Sequence, residues 1–144
     1  MGVSCFHFLM KYKSGYFNFK TDDILRKVSS DVPHDKQGVY IIYKECISFE
    51  NIIYIGKAGT ISQLGIYGKQ ALYGRINNKQ DDLKRQTFFS DSMKANGIHQ
   101  IIIQWFVTVD DRHSDIPHCI EARLIQKYYK KTKELPLPYP LYPV

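Results

Sequence analysis

The sequence predicts an α+β domain. Two apolar runs rich in β-branched and aromatic residues, Gly38–Lys44 (GVYIIYK) and Ile52–Lys57 (IIYIGK), read as neighbouring antiparallel strands. A third run, Ile101 to Val109, reads as another strand, and stretches of helical character separate and follow these. Of the 144 residues, 44% are hydrophobic, the balance of a folded globular chain of about one domain.

Residues 1–35 read as an N-terminal extension. Phe6 to Phe19 holds two apolar stretches around Ser14-Gly15, which predicts a hairpin. Thr21-Asp22-Asp23 has the composition of a helix N-cap and acidic first turn, for a short helix through about Ser29. Pro33 to Gln37 is a connector. A loop around Cys46 to Asn51 joins the first two strands of residues 36–133. Alternation places Tyr40 and Ile42 on one sheet face and Val39, Ile41 and Tyr43 on the other. Three glycines mark Gly59 to Lys69 as a loop.

Gln70 to Lys79 is a helix candidate that turns Ala71, Leu72 and Ile76 inward, with Arg75 nearby. A second helical stretch in Asp81 to Met93 ends at Asn96-Gly97. The last helix starts at Ile116-Pro117, where proline suits a first turn. Ile120, Leu124 and Tyr128 form its buried stripe, and Lys127, Lys130, Lys131 and Lys133 make its far end basic. Residues 134–144 are a proline-rich tail that cannot be helical.

The charge pattern points to an anionic partner. The net charge is +6, and residues 36–90 hold eight basic groups against four acidic ones. No apolar run is long enough to span a bilayer, and the first residues lack the pattern of a signal peptide. A cytoplasmic location without membrane attachment is the expectation. Cys5, Cys46 and Cys119 are odd in number and widely spaced, which suggests neither disulfides nor a zinc knuckle. His113, His118 and Cys119 lie close in sequence but lack the firm four-ligand spacing of structural zinc.

The residues with the most chemical meaning come in a fixed order. Gly38-Val39-Tyr40 and Tyr54-Ile55-Gly56 place thirteen residues between their tyrosines. Lys57 follows at the exit of the same strand, then Arg75 on a helix and Glu121 on the last helix. Each has an ordinary reading: strand tyrosines are commonly core or rim aromatics, and Glu121 could pair with Arg123 or Lys127. Each also has a chemical one. Hydrolysing a phosphodiester requires a deprotonated water, neutralisation of the gathering charge and in-line positioning. A phenol with a pKa near 10 becomes a usable base beside a cation. Arg75 offers a planar fork for phosphate oxygens. Glu121, next to the buried stripe, suits a metal such as Mg²⁺ that takes one or two carboxylates and keeps several waters.

This order resembles the GIY-YIG nuclease superfamily over residues 36–133. The string Tyr54 to Ala58 (YIGKA) is especially similar to the nuclease domain of the bacterial excision-repair incision enzyme. The resemblance implies a central three-stranded antiparallel sheet flanked by helices, and an endonuclease acting most readily on DNA. Mg²⁺ or Mn²⁺ would sit on Glu121, and Tyr40 would be the general base with Lys57 beside it. Tyr54 would position water or phosphate, although some members may use this tyrosine as the base. Arg75 would stabilise the transition state. With one site per chain, cutting both strands calls for a homodimer or two successive nicks. A literal Gly65-Ile66-Tyr67 falls in the glycine-rich loop and is a coincidence. Two positions depart from the pattern: Lys79 stands where many members have histidine, and no asparagine follows Asn96. The competing expectations are an inactive nucleic-acid-binding module of the same fold, and a protein-interaction domain whose tyrosines are core and whose basic charge is surface.

Overall fold

A computed structural model describes residues 2–78 and 84–136. Four seven-residue strands form one antiparallel sheet: β1 (Lys13–Phe19), β2 (Gly38–Lys44), β3 (Ile52–Ala58) and β4 (Ile101–Val107), in the order β1-β4-β2-β3. The helices are α1 (Leu25–Val28), α2 (Leu72–Asn77), α3 (Arg85–Ala95) and α4 (Pro117–Thr132). Lys79 and residues 137–144 of the proline-rich tail lie outside the described residues.

The fold is α+β, with four strands where three were expected. The fourth comes from the N-terminal segment and corrects the hairpin reading. Gly2–Lys11 is 3-10 helical with a kink at Phe6, and β1 pairs along its whole length with β4. Ser14-Gly15 is therefore not a turn. Gly15 faces Trp105 in register, and a Cβ there would stand 2.8 Å from the indole Cε2, so the glycine makes room for a ring. The helix cap is also corrected. Asp23 accepts a hydrogen bond from the Lys20 amide in a turn, and α1 starts at Leu25, whose amide donates to Gln86 of α3.

Both sheet faces are covered, so β2 and β4 read as continuous apolar runs. One core joins Tyr40, Ile42, Ile103 and Trp105 to Phe17 and Phe19 of β1, under Leu25, Leu72, Ile76, Phe89 and Met93 of the three short helices. The other joins Val39, Ile41, Ile55, Ile102 and Phe106 to Ile120 and Leu124 of α4, with Phe6, Leu9 and Tyr12. Of the α4 stripe, Ile120 and Leu124 are buried and Tyr128 is half-buried at the margin of the core, and Gly97, at φ +65, follows the end of α3. Among the described residues, no helix is long and apolar enough to cross a membrane.

Candidate functional site

Register sets the two tyrosines. Tyr40 pairs with Gly56 and Ile42 with Tyr54, so both phenols project from the face beneath α2. Their ring centroids are 5.9 Å apart. Gly56 lets them converge at the edge strand: a Cβ there would lie 2.5 Å from the Tyr40 Cζ and 2.7 Å from both its hydroxyl and Tyr54 Cε2.

Arg75 reaches this pair from the last turn of α2. The helix is pinned at its start, where the amides of Leu72 and Tyr73 donate to the carbonyls of Lys36 and Pro33 just ahead of β2. It is pinned at its end by Asn77, which donates to Ser29 Oγ at 3.0 Å. Burial disfavours the Arg75 charge, but the neighbouring Tyr40 and Tyr54 phenols more than offset this, and the guanidinium stays charged. Arg75 leans towards both hydroxyls, yet the fully buried Tyr40 hydroxyl and Arg75 Nε close no well-aligned hydrogen bond. Such unsatisfied buried groups are rare. Burial pushes the Tyr54 phenol up to about 12, Tyr40 adds to the rise, and Arg75 and Arg85 oppose it.

Lys57 and Glu121 come from the other face. Lys57 pairs with Val39, on the side where α4 packs. Glu121, one residue beyond buried Ile120, keeps 18% of its side chain exposed. Burial raises its carboxyl pKa, while Lys57, His118 and Arg75 surround it and oppose the rise. Arg75 thus acts on the phenols and, behind Lys57 and His118, on the carboxylate, and the five residues straddle strand β3. The ordinary partners of Glu121 are engaged elsewhere: Arg123 lies 3.8 Å and Lys127 5.8 Å from the centre of the Phe8 ring.

Three residues have roles that the sequence did not assign them. His118 Nδ1 is 3.9 Å from Glu121 Oε1, a contact legible from their i, i+3 spacing. Gly56 acts through the space it leaves. Arg85, buried at the start of α3, acts on Tyr54 from across a long sequence gap, and no local signal marks it.

Among the described residues, no three His, Cys, Asp or Glu side chains gather to hold a metal. An ion at Glu121 would therefore draw its other oxygens from water and phosphate, a donor set that fits Mg²⁺ or Mn²⁺. No known family, curated protein or solved structure matches this chain.

Proposed function

We propose that this chain is a metal-dependent endonuclease of the GIY-YIG type that hydrolyses phosphodiester bonds in DNA. The observation that carries this reading is Arg75, set beside the buried Tyr40 phenol and the half-buried Tyr54 phenol and near enough to the half-buried Glu121 carboxylate to oppose the rise in its pKa. A structural arginine would need one carboxylate; this one faces groups that phosphoryl chemistry uses in separate roles.

The guanidinium fork fits the non-bridging oxygens of a phosphate and neutralises charge as it gathers there. Tyr40, once its hydroxyl has lost its proton to solvent, would as a phenolate accept a proton from the attacking water, with Arg75 to stabilise it and Lys57 acting from the opposite face beside Glu121. Tyr54, its pKa near 12, stays protonated at neutral pH and donates to water or phosphate. Glu121 would hold Mg²⁺ or Mn²⁺, which when bound supplies Lewis-acid activation of water and of the leaving oxygen. One such site cuts one strand, so a double-strand break needs a homodimer or a second nick. The setting is cytoplasmic.

The test is cleavage of supercoiled plasmid and labelled branched DNA with Mg²⁺, with Mn²⁺ and with EDTA, comparing wild type with Glu121→Ala. Metal-dependent nicking that the variant loses is the expected result. Salt-sensitive DNA binding by both proteins without cleavage would make the chain an inactive binding module and overturn the enzymatic reading.

A further inference from the structure

Between β3 and α2 the chain makes a tongue. Its base is closed by the Gly68 amide, which donates to the Thr60 carbonyl at 3.0 Å, and by a bridge between Ile61 and Tyr67. Its tip turns on Ser62. The Ser62 Oγ accepts from the amides of Leu64 and Ile66, the Ser62 amide donates to the Ile66 carbonyl at 2.9 Å, and Gly65 takes φ +78. The tongue holds itself together through backbone and hydroxyl groups and takes nothing from its aliphatic side chains. Those point outward: Leu64 is 85% exposed and Ile66 63%.

Two further observations say what covers them. From Asn51 through Asn78 there is no carboxylate, while Lys57, Lys69 and Arg75 supply positive charge. The stretch that carries the tip therefore favours an anionic partner over a neutral apolar one. The base of the tongue also adjoins the site. Tyr67 lies against Gly59 and near the Cys119 thiol, two positions before Glu121 on α4.

We propose that the tongue is a wedge, inserting Leu64 and Ile66 between stacked base pairs of duplex DNA whose backbone lies at the Arg75–Glu121 site. The inference rests on the nuclease reading and adds how the substrate is shaped. Exposed aliphatic side chains such as leucine and isoleucine are the chemistry that unstacks a base step and kinks a duplex. The step that yields most easily is a flexible pyrimidine–purine one. The kink turns the adjoining phosphate towards Arg75 and gives preference for deformable or already distorted DNA without a hydrogen bond to any base.

The test uses duplexes carrying 2-aminopurine at successive positions, bound with Ca²⁺ in place of Mg²⁺, with affinity read by anisotropy. Wild type is compared with the double variant Leu64→Ser/Ile66→Ser, whose exposed side chains leave folding intact by circular dichroism. The expected result is a several-fold fluorescence rise at pyrimidine–purine steps that the double variant loses, with binding weakened about tenfold. Tight binding without any rise, or a rise that the double variant keeps, overturns the wedge and leaves the nuclease reading standing. A dimer that the double variant abolishes, with DNA fluorescence unchanged, assigns the tip to a second copy and also overturns it. Absence of DNA binding by either protein overturns both readings together.

Discussion

The Tyr40 phenol lies across Gly56, its register partner on β3, and its hydroxyl is buried there beside Arg75 without a well-aligned hydrogen bond. An orphaned buried hydroxyl costs about 1–3 kcal/mol of desolvation that folding does not recover. Tyr40→Phe is therefore expected to fold with equal or greater stability, by up to about 2 kcal/mol, read from denaturant melts. On the nuclease reading the same change slows single-turnover cleavage by about 10²–10⁴, the range of a lost general base. Tyr54→Phe costs less, because on this reading Tyr54 positions water or phosphate and does not take the proton. A destabilised Tyr40→Phe would show that this hydroxyl is structural, and the opposite ranking of the two variants in cleavage would reverse their roles.

The glycines of the two tripeptides separate stability from chemistry. At Gly38 a Cβ would land on the backbone carbonyl of Phe106, and β4 cannot move aside without breaking the sheet. At Gly56 a Cβ meets only side chains, the Tyr40 and Tyr54 rings. Gly38→Ala is expected to cost about 3 kcal/mol or more. Gly56→Ala should cost about 1–3 kcal/mol while displacing both phenols, so its cleavage falls further than its melting temperature suggests. Equal effects on folding and activity at the two positions would contradict this division.

The strands β2, β3 and β4 and the helix α4 were legible because their residues carry their own instructions. β-branched runs mark the strands, and Pro117 with the Ile120–Leu124 spacing marks the helix. The N-terminal segment was not, since Gly15 serves a distant ring and the α1 amide finds its partner on α3. Neither fact exists in a local window. The site divides the same way. Order in the sequence picked out Tyr40, Tyr54, Lys57, Arg75 and Glu121, and the fold brings them to one edge strand. Arg85 and the clearance at Gly56 are products of packing, which no motif records.

Because β1 completes the sheet, the first twenty residues contribute to folding. Phe19 is fully buried in the core that holds Tyr40. Phe19→Ala is expected to cost about 3–5 kcal/mol, enough to unfold a marginal domain. A chemical denaturation curve checks this. A loss under about 1 kcal/mol would mean that β1 docks on a domain already stable without it.

Glu121 carries a stability signature that is independent of any cleavage assay. Burial raises its carboxyl above the ordinary value of 4.5, so between that value and the raised one the folded state binds more protons than the unfolded state. Stability therefore falls as pH rises through this window, and the penalty is fully present above the raised value. Glu121→Gln removes the ionisation. The variant should be more stable than wild type at neutral pH, and the difference should vanish below about pH 4, where both states are protonated. Mg²⁺ reverses the ranking, since an ion bound only by the folded carboxylate stabilises wild type by about 2.7 kcal/mol at a hundred times its Kd and leaves the variant unchanged. Thermal melts over pH, with and without Mg²⁺, read both effects. A Mg²⁺ shift that survives in Glu121→Gln would move the ion to other ligands. A variant less stable than wild type at neutral pH would mean that Lys57, His118 and Arg75 together outweigh burial, making the carboxylate part of the scaffold.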